Sequence, residues 1–141
     1  MADPATIEEA ASVLGAAGTS GRSVRVRGGG TKLGWGTPAP DPAIELRTHR
    51  LDRIVEHNVG DLTAVLEAGV PLARAQEAFA QSGQMLALDP PLTQTAVGAG
   101  SGRRSGEATI GGVLASGDSG PLRHRYGGPR DLVVGMTVAL S

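Results

Sequence analysis

Three consecutive glycines, Gly28, Gly29 and Gly30, end a short β-branched run and limit what this chain can become. Residues 24–36 read V-R-V-R-G-G-G-T-K-L-G-W-G. Val24 and Val26 predict a short strand that stops where the side chains stop. A residue without Cβ can take positive φ and lets a ligand or another backbone come close, at a cost of about 0.5–1 kcal/mol relative to alanine in a regular element. Successive N–H groups in such a turn can form an anion-binding concavity. Arg25, Arg27 and Lys32 add positive charge, and residues 21–40 contain no acid. The stretch reads as a loop for a phosphate or diphosphate, with a turn, linker or bulge as the plainer alternatives. It is not a Walker loop, because Thr31 precedes Lys32, and not a Rossmann fingerprint, because Leu33 stands where the third glycine belongs.

With 141 residues the length suits one domain. The chain has 22 glycines and 9 prolines but one Trp, one Tyr and one Phe, so any core must come from Val, Leu, Ile and Ala between many ordered loops. The absence of cysteine excludes disulfides, thiolate metal sites and cysteine nucleophiles. Neither a basic leader nor an apolar run of about 18 residues occurs, and the expected address is cytoplasmic. Net charge is −1 but uneven. Two basic, glycine-rich segments flank residues 41–91, which hold eight acids against four bases. That pattern suits a local anion rather than a nucleic acid, for which a continuous basic face is expected.

In chain order, Thr6 and Glu9 form a capping box before a helix over residues 6–17, with Ile7, Ala10, Ala11 and Leu14 on one face and Gly15 and Gly18 ending it. Strands follow over residues 24–27, at Ile44 and Leu46, over residues 54–57, and most clearly over residues 62–68. Pro71 at the first helical position opens a helix over residues 72–82, with Leu72, Ala75 and Phe79 inward and Gly83 closing it. Residues 85–88 return as a strand. Residues 91–107 read as a flexible insertion, a short helix capped by Thr109 follows, and residues 131–140 read as a final strand.

Thr109, Gly111 and Gly112 make a second anion-friendly segment, where a capped helix start offers free N–H groups and a dipole worth about 0.3–1 kcal/mol. The alternative is an ordinary N-cap with a tight packing contact. Asp131 reads as a partner of Arg130 or the cap of a turn, and Trp35 as packing beneath the glycine loop. His49, His57 and His124 lack metal-ligand spacing, so no metal site is expected.

Five ordered segments carry a resemblance. Arg27-Gly-Gly-Gly-Thr-Lys, Asp61-Leu-Thr-Ala-Val-Leu-Glu-Ala-Gly-Val-Pro-Leu, Gly83-Gln-Met-Leu-Ala-Leu-Asp-Pro-Pro, Ala108-Thr-Ile-Gly-Gly and Gly127-Gly-Pro-Arg-Asp-Leu-Val-Val-Gly, with residues 51–55 between the first two, resemble the FAD-binding domain of the vanillyl-alcohol oxidase, or PCMH, superfamily. Within it the likeness is greatest to the FAD-binding subunits of bacterial glycolate oxidases. The resemblance implies an α+β fold, with a small βαβ-like first subdomain over residues 1–90, the insertion over 91–107 and the start of a second subdomain over 108–141.

It further implies that Arg27, Gly28, Gly29, Gly30, Thr31 and Lys32 bind the FAD pyrophosphate, and that Asp89 and Pro90 lie by the adenine. Thr109, Ile110, Gly111, Gly112, Ala115, Ser116 and Gly120 would line the dinucleotide and flavin, with a strand at Val133 and Val134 closing over the adenosine. The implied activity is oxidation of a 2-hydroxy acid such as glycolate, with hydride transfer to the flavin. No residue of the glycine loop matches the histidine that bonds flavin covalently in many members, so the FAD is expected to be noncovalent. Members of the superfamily run well past this length. The chain is therefore expected to be a fragment or truncated subunit, inactive alone and associating with other oxidoreductase polypeptides. A noncatalytic partner-binding module is the alternative.

Overall fold

The computed structural model describes residues 1–37, 40–91 and 107–140. Residues 92–106, most of the expected insertion, lie outside them. Helix α1 (Ile7–Thr19) starts as the sequence dictates: the Thr6 hydroxyl accepts the Glu9 N–H at 3.2 Å, while the Glu9 carboxylate accepts from the Ala5 N–H at 2.7 Å. It runs through Gly15 and Gly18 instead of ending there. Gly21, at φ +63°, makes the stop: Arg22 N–H donates to Ala17 O at 2.9 Å and Gly21 N–H to Gly18 O at 3.2 Å, a Schellman closure.

Strands β1 (Val24–Arg27) and β2 (Ile44–Arg47) pair in parallel, Val24 opposite Ile44. Ala2 adds a bridge beside Leu46, so the N-terminus is stitched to the same sheet. Arg47 holds it there through a bidentate pair with Asp3, 2.6 Å for each contact. Strands β3 (Ile54–Asn58) and β4 (Thr63–Leu66) form an antiparallel hairpin with a bulge at Val55. The last of these strands is shorter than the apolar run suggested, because Leu62 takes φ 56° and belongs to the turn. Helix α2 (Leu72–Ala80) buries Leu72, Ala75 and Phe79 as its 3.6 period requires. Pro71 is its N-cap residue and Gly83, at φ +68°, turns the chain away.

Two expected strands are absent. Residues 85–88 find no ladder; the Gln76 side chain, reaching from α2, donates to Leu86 O at 2.6 Å and accepts the Leu86 N–H at 3.0 Å. One amide thus satisfies backbone groups that a neighbouring strand would otherwise take. In the C-terminal run, Asp131 and Leu132 belong to the short helix α5 (Pro129–Leu132), where the Asp131 carboxylate accepts the Gly128 N–H at 2.8 Å. Residues 133–140, including Val133 and Val134, adopt no regular structure, since no described strand lies beside them and β-branched residues gain from extension mainly by pairing. Helices α3 (Ile110–Ser116) and α4 (Arg123–Tyr126) complete the described elements.

The core is small and aliphatic. Val70, Leu72, Ala75, Leu88, Ile110 and Val113 are buried together, with Ile54, Leu66, Leu86, Ala108, Leu114 and Leu132 packed around them. Each fully buried Val, Leu or Ile among them contributes about 1.5–3 kcal/mol by leaving water. Close approach matters as much as apolar area: a Cβ on Gly69 would fall 1.9 Å from Thr48 O, whereas one on Gly15 meets nothing within 4 Å.

Opposite outcomes are therefore expected at two glycines. Gly15→Ala should stabilise by about 0.5–1 kcal/mol through helix propensity, and Gly69→Ala should destabilise by about 1–3 kcal/mol through overpacking. Urea denaturation of both variants checks the signs.

A second expectation concerns acid. Glu67 accepts the Arg53 amide N–H at 2.7 Å and its guanidinium at 2.7 and 3.0 Å. The guanidinium hydrogen bond holds the carboxyl below its ordinary value of 4.5, against partial burial. Since the folded value lies below the unfolded one, this stabilisation is complete above pH 4.5 and disappears as pH falls through the folded value. Glu67→Gln should lower the urea midpoint at pH 7 and flatten its decline on the acid side.

Candidate functional site

Strand β1 delivers the glycines to the edge of a cleft of ≈ 250 Å³. Gly28, Gly29, Glu107 and Thr109 line it with Gly69 and Pro71, and His49 and Asp52 supply the remaining lining. The two glycine-rich segments of the sequence meet here. A Cβ on Gly28 would lie 2.2 Å from Thr109 Oγ1, and one on Gly29 would lie 1.7 Å from Glu107 O. Only residues without side chains permit this contact. Gly30 then takes φ +77° and turns the loop, with the Arg27 guanidinium beneath it. The N–H groups of Gly28, Gly29 and Gly30 have no hydrogen-bond partner among the described residues.

The cations of the loop are occupied. Arg27 Nη1 stands 3.5 Å from Glu45 Oε1. Lys32 Nζ lies 2.6 Å from Asp118 Oδ2, donates to Pro91 O at 3.3 Å and sits 4.0 Å from the centre of the Trp35 ring. Trp35 is 54 % exposed, so it caps Lys32 from outside the loop and does not pack beneath it. Thr31 is half-buried within the same turn.

Across the cleft, Thr109 caps α3 as expected, its hydroxyl accepting the Gly112 N–H at 3.3 Å. The expectation of free N–H groups there does not hold. Ile110 N–H donates to Val70 O at 2.9 Å and Gly111 N–H to Ala68 O at 2.8 Å, so both serve to hold the helix start against residues 68–70. Ile110 is core, and Gly111 is required because a Cβ would meet Ala68 Cβ at 2.8 Å. The N–H groups of Ile110 and Gly111 thus serve the tight packing contact. Ala115 and Ser116 are exposed at the end of α3, where the Ser116 hydroxyl donates to Gly112 O at 2.9 Å.

Asp89 spends both oxygens on the turn after α3, accepting the N–H groups of Gly120 and Leu122 at 3.1 Å each. Gly120 is buried against it, a Cβ there falling 2.1 Å from Asp89 O, and Pro90 is buried alongside. Val133 is partly covered and Val134 is 95 % exposed. Neither belongs to a strand closing over a pocket, because the run in which they lie has no described strand to pair with.

Sequence reasoning passed over Asp118 as a site residue. Its signal was present: Asp118 and Glu107 are the only acids among the five arginines of residues 103–130. His49, Asp52 and Gly69 enter the cleft through tertiary contacts that no local pattern marks. Asp52 is paired there with Arg74 at 3.1 Å. Among the described residues no helix is long and apolar enough to cross a membrane, and no group of three or more His, Cys, Asp or Glu side chains could hold a metal ion.

Comparison with known proteins identifies the family. The sequence model of the FAD binding domain family matches residues 1–141. The glycolate oxidase subunit GlcE of Escherichia coli (strain K12) is 31 % identical over 113 residues, 80 % of this chain and 29 % of that protein. A D-2-hydroxyglutarate dehydrogenase of Xanthomonas citri pv. viticola is 28 % identical over 98 % of this chain and 27 % of its own length. Among solved structures, alkyldihydroxyacetonephosphate synthase superposes with a TM-score of 0.73 at 21 % identity, covering 94 % of this chain and 22 % of that one. Aclacinomycin oxidoreductase gives 0.61 at 17 % identity, over 89 % of this chain and 23 % of its own. The chain thus spans under a third of the length of each of these relatives. A mixed helix and strand fold, a full-length family match and glycine loops that meet edge to edge agree: the chain belongs to the FAD-binding domain family of PCMH type, whose cofactor is FAD.

Proposed function

We propose that this chain is the pyrophosphate-gripping part of an oxidoreductase that acts on a 2-hydroxy acid such as glycolate, with FAD held noncovalently. One observation carries the reading: the row of N–H groups on Gly28, Gly29 and Gly30 that have no hydrogen-bond partner among the described residues. Such donors suit the oxygens of a diphosphate, and each charge-assisted hydrogen bond of this kind contributes about 1.5–3 kcal/mol. Gly28 and Gly29 line the cleft beside Glu107 and Asp52, the latter paired with Arg74, so the donors proposed for the diphosphate are the loop N–H groups. Thr109, Glu107 and the Asp89-braced turn hold the loop's surroundings in place. Bound FAD supplies the hydride acceptor; the residues of this chain bind and orient it.

The substrate class rests on names. Glycolate oxidase, D-2-hydroxyglutarate dehydrogenase and a D-lactate dehydrogenase of Archaeoglobus fulgidus, 28 % identical, all refer to 2-hydroxy acids. We name no catalytic residue, and the whole enzyme's chemistry needs groups beyond these. The expected setting is cytoplasmic, with other oxidoreductase subunits as partners, since GlcE is itself named a subunit.

The test uses Trp35, the single tryptophan, as its reporter. FAD should quench its fluorescence and ADP should displace FAD. Riboflavin, which lacks the diphosphate, should bind about 100-fold more weakly. Acid precipitation should release all the flavin. Equal affinity for riboflavin and FAD would sink the pyrophosphate assignment.

A second reading, a noncatalytic module that associates with another polypeptide, is favoured by the exposed run Val134, Met136, Val138 and Leu140, each at least 60 % exposed. Under this reading light scattering should show self-association that is relieved by Val134→Lys with Val138→Lys, and FAD should not bind. A monomer that binds FAD is the outcome against it.

A further inference from the structure

We infer that Lys32 is a positioning residue: its ion pair with Asp118 latches the glycine loop onto the turn that follows α3, and it does not itself neutralise the cofactor's diphosphate. The inference rests on the FAD reading above and deepens it. A lysine two residues after a glycine run is the obvious phosphate cation, yet Nζ is only 2.6 Å from Asp118 Oδ2. Both side chains are sheltered, at 16 % and 9 % exposure, so the pair is screened little by salt. The Asp118 oxygen is buried and takes no aligned hydrogen bond, which makes this a charge contact. Removing either partner would leave the other buried and uncompensated.

The rest of the ammonium's surroundings are also taken. Pro91 O accepts from it at 3.3 Å and the Trp35 face covers it at 4.0 Å, a cation–π contact. What the pair joins gives it its consequence. Asp118 lies in the turn between α3 and α4, and Asp89 grips that same turn through Gly120 and Leu122. Lys32 is the loop's hold on it. With the loop tied down, the N–H groups of Gly28, Gly29 and Gly30 are ordered before the ligand arrives, which lowers the entropic cost of binding. The attraction for diphosphate then comes from backbone dipoles, and Lys32 contributes by geometry.

The test compares Lys32→Met, Lys32→Arg, Asp118→Asn and the exchange Lys32→Asp with Asp118→Lys in the full chain. Two readouts are taken: Trp35 emission without flavin, and the FAD dissociation constant. Lys32→Met and Asp118→Asn should each shift Trp35 emission to the red as the ring loses its cover, and each should weaken FAD about tenfold. Lys32→Arg should resemble the wild type in both, and the exchange should recover most of the affinity. If Lys32→Met loses affinity while Asp118→Asn keeps or gains it, Lys32 is a direct phosphate cation and the inference is overturned. Unchanged affinity in both single variants overturns it as well. If the wild-type chain takes up no FAD, the proposed function fails, while Trp35 emission still decides whether the latch exists.

Discussion

The structure depends on a short backbone stitch between residues 68–72 and 108–111. Leu72 N–H donates to Ala108 O, Ile110 N–H to Val70 O and Gly111 N–H to Ala68 O, at 2.8–2.9 Å, and Pro71 bridges to Thr109. These bonds join segments far apart in sequence and set the start of α3 against the fully buried Val70. Buried backbone groups must find partners, and here each segment is the other's partner. Once they are joined, the aliphatic cluster of Leu72, Ala75, Leu88, Ile110 and Val113 closes around them.

The site is a by-product of that stitch. Thr109 and Glu107 are held where Gly28 and Gly29 can press against them, which only the missing Cβ atoms allow. The N–H groups of 110 and 111 are consumed in the stitch, whereas those of residues 28–30 have no hydrogen-bond partner among the described residues. Both glycine-rich segments take part in close packing: Gly111 against Ala68, and Gly28 and Gly29 against Thr109 and Glu107. Asp89 and Asp118 then brace the surrounding turn, the first through backbone N–H groups and the second through Lys32.

Local chemistry explains which parts of this were legible. The Thr6 cap, the 3.6 spacing of Leu72, Ala75 and Phe79, and the β-branched run before Gly28 involve neighbours within a turn or strand, so composition and spacing suffice. Residues 85–88 read as a strand because they are apolar, but the Gln76 amide satisfied their backbone and no ladder formed. In the run over 131–140, Pro129 and the Asp131 cap drew the first two residues into a helix. Lys32 looked like a free cation because its counter-charge lies 86 positions along the chain.

The sequence by itself determined the starts of α1, α2 and α3, the strands β1 to β4, the glycine-bounded loop and, through five ordered motifs, membership of an FAD-binding family. These follow from steric and hydrogen-bonding rules acting over a few residues. Only the tertiary structure decided which N–H groups remain unpaired, which lysine is already neutralised, and which glycines exist for a neighbouring backbone. Each of those depends on what a distant segment brings within hydrogen-bonding range or van der Waals contact, and no spacing along the chain encodes that distance.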